Sequence, residues 1–438
     1  MKSIGIDIGT TTVSAVVMDL EQKNIATSRT ISNGGFLQGE VWESIQDPAM
    51  LVDKAKTLVD ELLMEYDDVI GIGLTGQMHG IVYIDGDGRA VSPLYTWQDQ
   101  SAQQPLADGK SVVDVIKEKY HLPVATGFGC MTCLHHVKTG QVPPDARQIC
   151  TIADYLGMVL TGRKTPLLHA SNAAGLSLYN VETFAFLPEV FQAEGGDPSM
   201  LPQSSTAVEE LGKYKGIPVY CALGDNQASF LGSIGYRENV WSLNIGTSSQ
   251  ICVLSKQYFE TPGIDVRPYM DGTYLLTGAG LCGGRAYAIL ERFFRSYAKA
   301  LGLPDEAQYD VMAGLLPPEE EGSGGLQVRT TFAGTRQDPS LRGSITNISD
   351  QNLTPGNLIR GVLQGIVDEM AGFHDLICAG TDIRVDGLVA SGNACRMNPE
   401  LRRLLSETFG AELTQAAFTE EAASGAALSA AGKKEPTN

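Results

Sequence analysis

One pattern occurs twice in this chain of 438 residues, and it limits the folds available more than any other feature. GIDIGTTTVSAVV at 5–17 and SLNIGTSSQICVL at 242–254 align without gaps, placing Asn244 on Asp7 and Gly246 on Gly9. Thr247, Ser248 and Ser249 fall on Thr10, Thr11 and Thr12. In the first copy Ile4, Ile6 and Ile8 alternate with Gly5 and Asp7, the period of a strand with one buried face. Gly9 permits a tight turn, and an apolar, β-branched return strand follows. A turn of this kind collects backbone N–H groups and hydroxyls around its bend, a ready cradle for an anion. A single copy reads better as a plain β-hairpin. Two copies separated by 237 residues (246 − 9) read as two homologous halves.

Two such hairpins facing each other across a cleft would clamp one polyphosphate from both sides. Asp7, just before the first bend, is placed to hold a magnesium ion through water. The arrangement resembles the actin-like ATPase fold. The expected fold class is therefore α/β, with two ribonuclease-H-like domains, 1–235 and 236–438, and a catalytic cleft between them. The local signals follow this plan. Asp47-Pro48 reads as a helix N-cap and first-turn proline, the helix spans 50–66, and a buried-type strand follows at 69–76. In the second half a glycine-rich loop at 278–284 precedes a helix at 286–301. Thr354-Pro355 caps a helix at 358–378, and a strand at 387–390 leads to a helix starting at Pro399. Residues 317–325 read as a surface loop, 420–431 as a last helix, and 433–438 as a frayed tail.

Composition narrows the partners. With 51 acidic against 32 basic residues the net charge is −19, which argues against nucleic acid or an anionic membrane as partner. No apolar run approaches the length needed to span a bilayer, and the N-terminus enters a strand with no room for a signal peptide. Eight scattered cysteines read as buried thiols of a cytoplasmic protein.

Several segments carry candidate chemistry. GQMHG at 76–80 follows a strand directly, so Gln77 and His79 would project from its end, although His79 also reads as a loop histidine with its own hydrogen bond. Trp97 and Asp99 in TWQD combine an aromatic plane with a carboxylate, as a sugar site wants, while Trp97 reads equally as core. Cys130 and Cys133 form a CxxC beside His135 and His136, but no second CxxC accompanies it, so zinc is not expected. Ser171 and Asn172 lie in an expected polar loop. Asp225 stands between a strand at 217–223 and a helix beginning at Asn226, where N-cap and catalytic roles compete.

Together GQMHG, TWQD, LGDNQAS at 223–229, NIGTSS at 244–249, SGNACRMNPELRRLL at 391–405 and SGAAL at 424–428 resemble the FGGY carbohydrate kinases nearly end to end. TWQD, ATGFGC at 125–130 and SNAAG at 171–175 look most like the sedoheptulokinases of that family. The resemblance implies an N-terminal sugar-binding domain and a C-terminal nucleotide-binding domain. It makes Asp225 the general base and gives Gln77, Met78, His79, Trp97, Asp99, Asn172 and Asn226 to the sugar. Thr10, Thr11, Thr12, Gly246, Thr247 and Ser248 would contact phosphates, while Gly283, Gly284, Gly392, Asn393 and Asn398 would line the nucleoside pocket. ATP and Mg²⁺ are the implied cofactors, and a monomer or homodimer is expected. The implied reaction is phosphorylation of the terminal hydroxyl of a ketose, sedoheptulose giving sedoheptulose 7-phosphate. Xylulose or another sugar or polyol is the alternative acceptor. A non-kinase actin-like regulatory ATPase is the reading from a different class, disfavoured because a regulator needs no sugar pocket. Two departures stand out. Gln100-Ser101 follow TWQD where family members often carry an arginine, and Ser391-Gly392-Asn393-Ala394 partly replaces the glycine-rich adenine loop.

Overall fold

The computed structural model describes residues 1–418 and 420–432. The tail at 433–438, expected to fray, lies outside the described residues. Packing divides the chain into two units. The first comprises Met1–Tyr236, Arg267–Tyr274 and the described residues from Phe418 onward; the second comprises Arg237–Val266 and Leu275–Ala417.

In the first unit the opening hairpin is β1 (Lys2–Ile8) and β2 (Thr12–Asp19), extended by β3 (Asn24–Ser32) into an antiparallel meander. Helix α1 (Pro48–Glu65) then crosses to β4 (Val69–Gly76), which pairs parallel with β1. Asp47 caps α1 by accepting from the N–H groups of Ala49 and Met50, and Pro48 occupies the first turn as the sequence suggested. Later in the chain β5 (Glu210–Tyr214), β6 (Ile217–Tyr220) and the short β7 (Leu223–Gly224) join the same sheet. The strand order is β5-β6-β4-β1-β2-β3, with β7 also paired to β4.

Both faces of this sheet are covered, not one. Ile4, Ile6 and Ile8 are fully buried in the core that holds Leu51, Ala55 and Leu58 of α1. The alternate positions face a helix drawn from the far end of the chain, Glu421–Ala431, whose Ala423 and Ala427 pack with Val16 and Met18. A side chain at Gly73 would sit 1.8 Å from the Ala426 carbonyl, so the glycine is what lets this helix lie flat on β4. The expected second domain, 236–438, therefore differs from the packing: its last helix and its segment Arg267–Tyr274 belong with the first unit. Helices α2 (Ala170–Gly175) and α3 (Asp225–Ile234) complete the parts of this unit that matter below. Residues 171–174, expected as a polar loop, are thus helical, and 171–173 are buried.

The second unit repeats the plan. β8 (Val240–Ile245) and β9 (Ser249–Ser255) form the second hairpin, followed by β10 (Ile264–Pro268) and β11 (Tyr274–Gly280). Helices α4 (Gly284–Ala300) and α5 (Pro355–Cys378) precede β12 (Gly387–Ser391), and α6 (Asn393–Met397) and α7 (Pro399–Phe409) precede β13 (Leu413–Gln415). The order is β10-β11-β9-β8-β12-β13, with β8 antiparallel to β9 and parallel to β12, as β1 is to β2 and β4. Equivalent strand ends carry equivalent pairs: Asp7 lies opposite Thr75, and Asn244 opposite Ser391. The hairpins differ by one residue in register, Ile8 pairing with Val13 but Ile245 with Ser249, so the second bend is one residue tighter. Of the expected loop at 278–284, residues 278–280 end β11, 281–283 form the loop and Gly284 opens α4. Among the described residues no helix is long and apolar enough to cross a membrane.

Candidate active site

Around the first hairpin, side chains from three segments converge on the bend. Asn33 Nδ2 donates to the carbonyls of Gly9 (2.9 Å) and Thr10 (2.5 Å), and Gln46 Nε2 donates to the Thr10 carbonyl at 2.9 Å. These bonds consume carbonyl oxygens that would repel an anion, while Thr11 and Thr12 stay exposed. Gln77 Nε2 donates to Gln46 Oε1 at 2.8 Å, so Gln77 is tied to the hairpin through Gln46. The indole of Trp97 donates to Thr10 Oγ1 at 2.9 Å and keeps 46% of its surface exposed, which rules out the core reading.

His79 follows β4 with a left-handed backbone, φ +74°, a conformation costly for a residue with a side chain. Its Nδ1–H donates to the Gly175 carbonyl at 2.7 Å and its ring stacks on Phe128 with centroids 4.5 Å apart. Burial lowers its pKa, so the imidazole is neutral and Nε2 is an acceptor. Asp99 does not present a carboxylate outward. It is fully buried, and its two oxygens accept the backbone N–H groups of Ser44 (3.2 Å) and Ser101 (2.9 Å). Asn172 is likewise buried and donates to the Ala222 carbonyl at 3.0 Å. Both are expected as sugar ligands, and in the structure both hold backbone in place.

Asp225 is the first residue of α3, and the N-cap position belongs to Gly224, with no side chain capping the helix. The capping role that competed in the sequence is therefore not filled by Asp225. Asn226 Nδ2 donates to Asp225 Oδ1 at 2.8 Å and lies 3.9 Å from Met78 Sδ. Burial raises the Asp225 pKa, opposed by hydrogen bonds from Asn226 and by the positive charge of Arg267. Asp7 is pushed up to about 7, first by burial and then by the negative charges of Asp225 and Glu420. Asp7, with burial and two negative charges around it, is suited to a cation beside it. Among the described residues no three His, Cys, Asp or Glu side chains are grouped to hold an ion unaided. That combination fits Mg²⁺ arriving with phosphates and water and held by one or two carboxylates.

In the second unit the bend 246–248 is bare. A side chain at Gly246 would meet nothing nearer than Asn244 Oδ1 at 4.0 Å, so the fold does not itself require this glycine. Thr247 and Ser248 are exposed. The N-terminus of α4 docks behind them, Gly284 N donating to the Gly246 carbonyl at 2.8 Å and Arg285 N to the Thr247 carbonyl at 3.2 Å. Added side chains at Gly283, Gly284 and Gly392 would each lie 2.5 Å from a hairpin carbonyl, so these three glycines let α4, β12 and the hairpin meet. Asn393 is exposed at the start of α6. Asn398, expected in the nucleoside pocket, caps α7 by accepting from Leu401 N at 3.0 Å.

Residues 3–232 match the model of the FGGY family of carbohydrate kinases, N-terminal domain, and residues 242–432 match its C-terminal domain. The chain belongs to the FGGY family of carbohydrate kinases. Similar curated proteins include sedoheptulokinase of Mus musculus, 28% identical over 93% of this chain and 92% of the relative, and that of Homo sapiens, 27% identical over the same shares. Xylulose kinase of Staphylococcus xylosus is 25% identical, covering 98% of this chain and 90% of the relative. Among solved structures, xylulose kinase from Rhodospirillum rubrum superposes with a TM-score of 0.81 at 20% identity, covering 98% and 90% of the two chains. The fold is thus the two-domain actin-like ATPase fold of the FGGY kinases.

Several features of this FGGY kinase were not picked out by its sequence motifs. Gln46 and Asn33 sit outside every motif, yet they set the first bend. Arg267 lies on a strand shared with the second sheet, and only its grouping with the first unit puts its charge near Asp225 and His79. Cys130 and Cys133 are buried on the helix Gly129–Thr139 as free thiols, Cys133 pushed up to about 11 by burial.

Proposed function

We propose that this kinase transfers the γ-phosphoryl group of ATP to the terminal hydroxyl of a ketose, with sedoheptulose the leading acceptor. The observation that carries the reading is Asp225: a carboxylate at a helix start that caps nothing, in the unit that also holds a neutral histidine and an exposed tryptophan. Its environment suits a base. Burial makes the carboxylate more basic than an exposed one, while Asn226 and Arg267 keep the anion accessible. In this reading Asp225 takes the proton of the acceptor hydroxyl, Trp97 offers its face to the sugar, and His79 Nε2 accepts from a sugar hydroxyl. Thr247, Ser248 and the bare backbone at Gly246 hold phosphate oxygens, and Thr10 to Thr12 do the same from the first unit. Asp7, through water, would hold Mg²⁺, which when bound supplies charge neutralisation at the transferring phosphoryl group.

Support for sedoheptulose is the higher identity to the two sedoheptulokinases, together with TWQD, ATGFGC and SNAAG. Xylulose is the second reading, favoured by the xylulose kinases among both the curated relatives and the structural neighbours. Coupled ADP release over a panel of ketoses, aldoses and polyols tests the proposal. Sedoheptulose is expected to give the highest kcat/KM. A tenfold advantage for xylulose, about 1.4 kcal/mol of transition-state preference, would replace the acceptor, and sugar-independent ADP release alone would remove the sugar-kinase mechanism.

A further inference from the structure

Three consecutive residues ahead of Asp225 are pinned by buried side chains. Asn172 Nδ2 donates to the Ala222 carbonyl at 3.0 Å, Thr75 Oγ1 donates to the Leu223 carbonyl at 2.8 Å, and Gly224 N–H donates to Ser171 Oγ at 2.9 Å. Each of the three side chains is at most 1% exposed. The last bond stands one residue from the carboxylate. Gly224 has no side chain of its own to fix its backbone, so its hydrogen bond does that work. The peptide also has little room to slide, because a side chain at Gly224 would lie 2.6 Å from Gln227 Oε1 and 2.7 Å from Met78 Sδ.

Behind Ser171 the bonding has one consistent direction. The Ser171 hydroxyl lies 2.8 Å from His169 Nδ1, which also accepts Ser171 N at 3.2 Å; His169 Nε2 lies 3.1 Å from the Thr206 carbonyl. A carbonyl only accepts, so Nε2 carries the proton, Nδ1 is the acceptor and the hydroxyl proton points to it. The Ser171 oxygen is left with its lone pairs toward Gly224 N–H. Burial lowers the His169 pKa to about 4, which keeps this tautomer neutral. Thr206 is anchored in turn by Asp271 N–H at 2.7 Å.

The geometry points to Ser171, oriented by His169, as the positioning residue that fixes the Asp225 carboxylate for the acceptor hydroxyl. This assignment rests on Asp225 being the base. A catalytic group displaced by about an ångström can lose up to ~10² in rate, and such a loss falls on turnover. A residue that only stabilises the fold would not show that split.

The test is steady-state kinetics of the intact protein with ATP and sedoheptulose, or xylulose if that turns over faster. Ser171→Ala is expected to lower kcat at least tenfold, with KM for sugar and ATP within threefold of wild type. In the Asp225→Asn background the same change is expected to cost less than twofold, because the group it positions is gone. His169→Asn keeps an acceptor near the Nδ1 position and should retain at least a third of kcat, whereas His169→Gln, with its amide further out, should fall as Ser171→Ala does. Should Ser171→Ala be too unstable to purify, Ser171→Cys keeps the bulk with a poorer acceptor and carries the same comparison. Equal losses in both backgrounds, or a raised KM with unchanged kcat, overturn the positioning role while leaving Asp225 as base. An Asp225→Asn enzyme that keeps more than a tenth of wild-type kcat overturns both.

Discussion

Trp97 donates its indole N–H to the Thr10 hydroxyl at 2.9 Å, so this exposed aromatic ring and the bend of the first hairpin are one hydrogen-bonded piece. The donor edge of the ring is turned inward while nearly half of its surface remains open. Trp97→Phe keeps an aromatic face and removes only the donor. We expect kcat/KM to fall about 5–10-fold, the equivalent of one lost hydrogen bond of ~1–1.4 kcal/mol, with thermal stability little changed. Trp97→Ala should raise the sugar KM further. Unchanged sugar KM in the alanine variant would take the platform role from Trp97.

Asp225→Asn preserves shape and most hydrogen bonding but cannot accept a proton. Because Gly224 holds the N-cap position, the substitution should leave helix and fold intact. Turnover is expected to drop by about 10²–10⁴, the usual share of general-base catalysis, with ATP affinity little altered. Calorimetric ATP titration beside a turnover assay measures both quantities on one preparation.

Thr247 is exposed on a bend whose backbone is already fixed by α4. Thr247→Val therefore deletes a hydroxyl without loosening the bend. Nucleotide binding should weaken by about 1.5–3 kcal/mol, the value of a hydrogen bond to a charged group. Wild-type nucleotide affinity in this variant would exclude the Thr247 hydroxyl from phosphate binding.

Acid should destabilise the first unit through His136. Its Nδ1 lies 3.0 Å from the Tyr83 hydroxyl in the core, and burial lowers its pKa from about 6.5 to about 4, with His135 adding to the effect. The folded pKa lies below the unfolded one, so between these values the unfolded chain takes up a proton that the fold refuses. Stability contributed by His136 is present above pH ~6.5 and is lost as the pH falls toward ~4. Denaturation curves of wild type and His136→Phe should differ progressively over that window. Wild type should lose on the order of 3 kcal/mol relative to the variant, and parallel curves would mean that His136 does not titrate this way.

The hairpins could be read from sequence because everything that shapes them is local: alternating isoleucines, a glycine, then hydroxyls. The same holds for Asp225, whose strand-to-helix setting lies within a few residues of it. For Asp99 and Asn172 the opposite holds, because their partners are remote in sequence. A polar side chain faces a ligand or a backbone group depending on partners far away in sequence, here the Ser44 N–H for Asp99 and the Ala222 carbonyl for Asn172. The helix at 421–431 was legible as a helix, but nothing within it says which sheet it covers. The signal was distributed, with small residues on the helix and glycines such as Gly73 on the strand that receives it. The one-residue difference in register between the hairpins was hidden because the two sequences align without gaps.

That helix also sets an order of events during synthesis. Residues 1–236 leave the ribosome with nearly all of their sheet, yet the surface of β1 and β4 around Gly5 and Gly73 stays uncovered until residues 421–431 emerge. A nascent chain therefore carries an open, glycine-lined seam through the translation of almost half its length, and the second unit can complete its own sheet before the first is closed. A premature stop shortly before residue 421 would leave the whole second unit in place and still deprive the first of its cover.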